Sequence, residues 1–188
     1  MRIYARFHKR ELYIYIESLY TTRIKKTQRD FEVTIWEKFK IGKIFNLQRG
    51  NQSPTNFIMN SGSIPLVAAS GNNNGVSYFS SAEKNFLTKG NKITISANGE
   101  GVGTPFYQKD DFVGGNDCLI LENKYLNKIN AMFIVTIIFQ NKYKYSYGRK
   151  CSLDIIKNDF ITLPAKDGNP DWEYMQNYIE SLRNSDLI

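Results

Sequence analysis

From residue 31 onward the apolar positions fall into short runs separated by glycine- and asparagine-rich interruptions, the pattern of strands joined by tight turns. Val33, Ile35, Trp36, Phe39, Ile41, Ile44, Phe45 and Leu47 lead to Gln48-Arg49-Gly50, and predict a short strand, a turn of helix near residues 42–45 and a second strand. A polar loop follows over residues 50–62. Residues 64–69 give a compact strand signal that stops at Ser70-Gly71-Asn72-Asn73-Asn74-Gly75, whose Asn-Gly end favours a tight turn at positive φ. Strands are expected again at 76–79, 92–96, 104–107 and 118–121, with Asn98-Gly99-Glu100-Gly101-Val102-Gly103 as a second glycine-rich turn.

The period changes at residues 127–139. Apolar residues at 131–135 and 137–139 cover most of the circumference of a helix, which predicts a buried helix rather than a surface one. Residues 142–150 then interleave lysine, tyrosine and arginine. Residues 155–163 read as a strand-like region stopped by Pro164, and Lys166-Asp167-Gly168 as a turn. A second helix is expected from Asn169 as cap, with Pro170 in its first turn, where the missing N–H costs nothing, and Asp171 and Glu173 beside the positive end of the dipole. On that helix Trp172, Met175, Ile179 and Leu182 share one face, a stripe that suits core packing and a partner seam equally.

Residues 1–30 differ from the rest. Two basic clusters, Arg6, His8, Lys9, Arg10 and Arg23, Lys25, Lys26, Arg29, flank the run Leu12-Tyr13-Ile14-Tyr15-Ile16, where strand alternation and a helical stripe both fit. The expected organisation is therefore α+β. A basic, aromatic arm (1–30) precedes one mixed, β-rich domain (31–168) containing the buried helix, and a C-terminal helix (169–188) follows.

A chain of 188 residues is long enough to bury a core without disulfides. Cys118 and Cys151 lie far apart, without the spacing of a thiolate metal site, so reduced thiols and no structural metal are expected. The longest apolar run, residues 131–139, is about half of the roughly 20 residues that a bilayer crossing needs. The first thirty residues carry charges throughout and no secretory apolar segment, so a cytoplasmic protein is expected. Twenty-five Lys and Arg against eighteen Asp and Glu give a net charge of +7, which fits a polyanionic partner or a solvated basic surface.

Catalytic signals are thin. His8, the sole histidine, sits in the basic arm, an implausible place from which to build a nucleophilic triad. A metal-dependent nuclease would have to use Asp117, Glu122 and Lys124, an acid-and-lysine pattern that chance supplies in most proteins. The glycine run at 99–103 leads to Thr104-Pro105-Phe106 where a cofactor-binding turn would begin a helix, and Asn169-Pro170-Asp171-Trp172 departs from the amino-methyltransferase motif at its third position. No cofactor is expected. What remains is an inventory of loop side chains, namely Arg49, Ser70, Asn72, Asn73, Asn74, Asn98 and Gln108, together with Lys142, Lys144, Tyr145, Tyr147, Arg149 and Lys150. Arg pairs with guanine, Asn and Gln with adenine, and Lys with phosphate. Turn chemistry and solvation explain any one of them as well.

Taken in order, several segments resemble a target-recognition domain of the specificity (S) subunits of type I restriction–modification systems and of related type IIB and IIG enzymes. They are Trp36-Glu37-Lys38-Phe39-Lys40-Ile41-Gly42-Lys43-Ile44-Phe45 with Arg49-Gly50; Ile64-Pro65-Leu66-Val67-Ala68-Ala69-Ser70 with Asn73-Asn74-Gly75-Val76; and Ile93-Thr94-Ile95-Ser96-Ala97-Asn98-Gly99 through Phe106-Tyr107-Gln108. The basic and aromatic run 142–150 and Ile161-Thr162-Leu163-Pro164 through Pro170-Asp171-Trp172-Glu173-Tyr174-Met175 continue the pattern, so that it covers about residues 34–182. The resemblance implies a mixed α/β module that reads half of a bipartite site in double-stranded DNA, while methylation and cleavage belong to other subunits. It also implies docking on methyltransferase and restriction subunits, or pairing with a second copy, through the face of Trp172, Met175, Ile179 and Leu182. In this reading Lys142, Lys144 and Lys150 position the backbone and loop Asn, Gln and Arg residues read bases. Besides the nuclease, the rival reading is an interaction module or decoy that docks on a methyltransferase subunit without reading DNA.

Overall fold

The computed structural model describes residues 35–146 and 149–182, so the expected arm at 1–30 lies outside the described residues. The chain opens with strand β1 (Ile35–Lys40), the one-turn helix α1 (Ile41–Ile44) and β2 (Asn46–Arg49), as the pattern predicts. There follow β3 (Ile64–Val67), β4 (Val76–Ser80), β5 (Leu87–Thr88), β6 (Lys92–Ser96), β7 (Pro105–Gln108), β8 (Phe112–Gly114) and β9 (Cys118–Glu122). Helices α2 (Lys128–Gln140) and α3 (Leu153–Asn158), strands β10 (Phe160–Lys166) and β11 (Asn169–Pro170), and helix α4 (Trp172–Ser181) complete it.

A central antiparallel sheet runs in the order β2-β9-β6-β7. Period-two alternation sorts its side chains. Ile93, Ile95, Leu119 and Leu121 face the main core with α2, while Cys118 and Ile120 point the other way, onto Val67 and Phe112 of a second sheet. That second sheet has the order β4-β3-β8-β5, with β3 and β8 parallel. Its outer face buries Leu66 and Val113 beneath Phe57, Tyr78 and Leu87. A third sheet, β1-β10-β11, pairs Ile35 with Ala165 and Phe39 with Ile161.

Burial on two faces explains why β9 reads as a continuous apolar run instead of an alternating one. Helix α2 starts where Asn127 accepts hydrogen bonds from the backbone N–H groups of Ile129 and Asn130, while the Asn130 side chain accepts one from Asn127 N, a reciprocal capping box. Its Ala131, Ile134 and Ile138 are fully buried.

Three expectations need correction. The first half of the strand expected at 155–163 is helix α3, because Ser152 caps it by accepting from Ile155 N and Asp154 sits in its first turn; the strand begins at Phe160. Asn169 does not cap the last helix. Asp167 and Gly168, at φ 51° and 70°, form a hairpin turn that carries Asn169 and Pro170 into the ladder with β10, and Asp171 caps α4 by accepting from Tyr174 N. Thirdly, the stripe on α4 is spent on the domain's own core. Met175 and Ile179 are buried beside α2, and Trp172 packs edge-on against Phe45; only Leu182 is well exposed, at 43%.

Candidate nucleic-acid interface

At one end of the central sheet β2 and β6 finish while β7 and β9 begin, since Arg49 pairs with Leu119, Ser96 with Cys118 and Ile95 with Pro105. The loops 50–52, 97–104 and 115–117 therefore leave from a single edge. The loop 68–75 of the second sheet is fastened onto it, because Ser96 Oγ donates to the carbonyl of Ser70 at 2.6 Å. Backbone meets backbone here: a Cβ on Gly101 would stand 2.3 Å from the nitrogen of Gly71, so only glycine permits the two loops to touch.

This edge gathers most of the loop side chains singled out from the sequence. Arg49 is exposed, and its guanidinium donates to the carbonyl of Asn116 and to Asp117 Oδ1, the latter at 3.2 Å. Ser70 closes its own turn by donating to Asn72 O and accepting from Asn72 N. Asn72, Asn73 and Asn74 are exposed, with Asn73 and Asn74 in the left-handed region at φ 51° and 53°, so the predicted tight turn is present. Asn98 is half-buried in the neighbouring loop.

Gln108 does not belong to this surface. It is 4% exposed, and its Nε2 donates to Asn74 O at 2.9 Å and to Thr94 Oγ1 at 3.0 Å, while Asn74 Nδ2 donates back to its Oε1 at 3.3 Å. Buried between the sheets, an amide must be satisfied by protein, and this one holds the Asn72–Asn74 turn in place instead of reading a base.

The basic segment joins the same edge through Tyr145. Its ring lies against Gly103, where an added Cβ would come within 2.6 Å of Cδ2. Tyr145 is itself buried, and its hydroxyl donates to Asp159 Oδ2 at 2.8 Å. Lys144 Nζ donates to both oxygens of the same carboxylate, at 2.8 and 3.0 Å. Burial alone would raise the carboxyl of Asp159, but bonds from Lys144, the Phe160 N–H and Tyr145 outweigh it and hold the group below the ordinary carboxylate range. Desolvation, and then the bond to Asp159, push the Tyr145 phenol upward. Tyr145 and Lys144 thus depart from the expectation of free DNA contacts.

Arg149 and Lys150 are exposed beside a hollow of about 770 Å³ that Ser152 also lines. Lys142 Nζ sits 5.7 Å over the Phe139 ring. Tyr147 lies outside the described residues. Sequence reasoning missed Asp159, Asn116 and the tie between Asp117 and Arg49, because each partner is distant in the chain.

The residues of the nuclease alternative are not brought together. Asp117 precedes β9 and Glu122 is its last residue, roughly 16 Å away at the rise of an extended strand. Each has its own cation: Arg49 for Asp117, and Lys92 Nζ for Glu122 at 2.5 Å, while Lys124 lies over the Tyr125 ring. Among the described residues no group of three or more His, Cys, Asp or Glu side chains is placed to hold a metal ion. Burial drives the thiols of Cys118 and Cys151 up to about 12, so neither offers a thiolate near neutral pH. No helix among the described residues is long and apolar enough to cross a membrane.

Comparison with known proteins identifies the family of the domain that carries this edge. A family model described as the type I restriction modification DNA specificity domain matches residues 34–187. The type II restriction enzyme BgcI specificity subunit S.BcgI of Heyndrickxia coagulans is 36% identical over 152 residues, covering 79% of this chain and 44% of that protein. Among solved structures, the S subunit of a type I restriction-modification system from M. genitalium superposes with a TM-score of 0.60 at 15% identity, over 86% of this chain and 41% of that one. The HsdS subunit from Thermoanaerobacter tengcongensis gives 0.54 at 14% identity, over 87% and 42%. The chain thus spans less than half the length of each of these relatives, and the two structures share its mixed α+β fold.

Proposed function

The chain belongs to the type I restriction modification DNA specificity domain family, and from that membership we propose that it reads a DNA sequence on behalf of a restriction–modification assembly, without cutting or methylating DNA itself. The observation that carries the reading is the shared edge of the central sheet. Arg49 and the Asn72–Asn74 turn stand there on glycine-tightened loops, linked through Tyr145 to a segment presenting Arg149 and Lys150. Guanidinium and amide groups supply base contacts in a groove, and the flanking cations position the duplex by its phosphates. A net charge of +7 favours the same partner. In this reading catalysis belongs to other subunits in the cytoplasm.

The contact with those subunits is assigned to Trp36, Tyr178 and Leu182, which are exposed; the rings of Trp36 and Tyr178 lie 5.9 and 5.5 Å from that of Phe133. A second copy or a methyltransferase subunit would cover them.

Selection from a pool of randomised duplexes tests the proposal, followed by titration of the enriched sequence at several salt concentrations. With four to six phosphate contacts, affinity should fall about 10²- to 10³-fold between 50 and 200 mM salt. A chain that enriches no sequence and binds with no salt dependence does not read DNA.

A further inference from the structure

Asp159 draws three side-chain and backbone donors onto one half-buried carboxylate, although nothing about it stands out in the sequence. We infer that Asp159 is a positioning residue for sequence preference: by holding Lys144 and Tyr145 it sets the ring that buttresses Gly103, and through it the two loops of the recognition edge. The inference rests on the DNA-reading function proposed above and adds to it the group that fixes the loops.

The path is short and made of direct contacts. Asp159 begins where α3 hands over to β10, and Ile41 N donates to its carbonyl at 2.9 Å, so its backbone is fixed by the first helix as well. Its Oδ2 orients the Tyr145 hydroxyl, and the phenol ring then fills the space that a side chain on Gly103 would take. Gly103 N donates to Ser96 O at 2.8 Å, and the preceding Gly101 lies on Gly71, next to the Ser70–Asn74 turn. A shift of the Tyr145 ring therefore moves two loops at once. Their side chains must hold base-edge geometry to within about 0.5 Å to discriminate.

Lys144 has the opposite consequence. Both oxygens of Asp159 and, at 3.5 Å, the carbonyl of Phe160 occupy its ammonium group, so its charge is used inside the domain and does not displace counterions from a phosphate. A simple stabilising ion pair would predict that breaking it weakens binding to every duplex equally. A positioning group predicts a split between preference and salt dependence.

Wild type, Asp159→Asn, Lys144→Ala and Tyr145→Phe are compared on the duplex enriched from the randomised pool and on a scrambled duplex, with the salt slope measured on each. Lys144→Ala should leave the slope unchanged. Asp159→Asn should steepen it by about 0.9, as the released lysine reaches a phosphate, and should cut the ratio of enriched to scrambled affinity at least tenfold. Tyr145→Phe, which removes one hydroxyl and keeps the ring, should lower that ratio several-fold at an unchanged slope. Retention of the full ratio by both Asp159→Asn and Tyr145→Phe overturns the inference, as does a slope that falls by about 0.9 in Lys144→Ala. If Asp159→Asn does not fold, the other two variants decide alone. A wild-type chain that enriches nothing removes the function itself, and that failure is visible before any variant is made.

Discussion

Arg49 ends β2 with its guanidinium turned back on Asn116 and Asp117, which leaves it oriented yet exposed. An arginine pre-set by a carboxylate in this way loses little side-chain freedom on meeting a guanine edge. Arg49→Ala is accordingly expected to cost about 1–3 kcal/mol on the enriched duplex and to relax preference at one position, whereas Lys150→Ala should weaken all duplexes alike and lower the salt slope by about one. Competition titrations against single-base variants of the site check both. Asp159 makes a second prediction at this scale. Its folded pKa lies below the unfolded value, so the group contributes stability that is present above the ordinary carboxylate pKa and lost as pH falls through the lowered one. Thermal melts of the wild type from pH 7 downward should show that acid loss, and Asp159→Asn should be less stable at pH 7 with a flatter acid limb. Identical acid limbs would remove Asp159 from the account.

Among the elements, α2 depends on its first turn. Asn127 satisfies two backbone donors and also donates to Gln176 Oε1 of α4 at 2.9 Å, so one side chain both caps the buried helix and ties it to the last one. Asn127→Ala should lower stability by about 1 kcal/mol, seen as a lower urea midpoint at unchanged slope. The legibility of this fold follows from such locality. The strand–turn–strand opening, the positive-φ turn at Asn73–Gly75 and the buried helix were readable because their signals lie within a few residues. Helix α3 was not, since Leu153, Ile155 and Ile156 suit either period in so short a stretch. Gln108 was misread for a different reason: a polar residue in a strand looks exposed unless the partner of its amide is known, and Asn74 is 34 residues away. Separation along the chain also hid Asp159, which lies 15 residues from Lys144 in sequence.

For the whole molecule, the position of α4 decides which residues are available to a partner. An apolar stripe of Trp172, Met175, Ile179 and Leu182 invites the idea of a seam, yet the domain closes over its middle, with Met175 fully buried and Ile179 6% exposed. An aspartate at Ile179 would therefore put an unpaired charge into the core, and Ile179→Asp should unfold the domain or lower its melting temperature sharply. It cannot report on assembly. Under the proposed docking, Trp36 and Leu182, 47% and 43% accessible, are two of the exposed side chains that a partner would cover. Trp36 rests on Phe133, and Leu182 follows the last residue of α4, so replacing them removes surface area while sparing the buried layer. The double variant Trp36→Ser with Leu182→Asp should melt within a few degrees of the wild type and keep its preference for the enriched duplex. By light scattering it should lose mass gained either by self-association or by addition of a methyltransferase subunit. If both associations survive the double substitution, the docking surface lies elsewhere on the chain. If Ile179→Asp retains the wild-type melting temperature, α4 does not pack on α2 in solution, and the stripe becomes available as the seam after all.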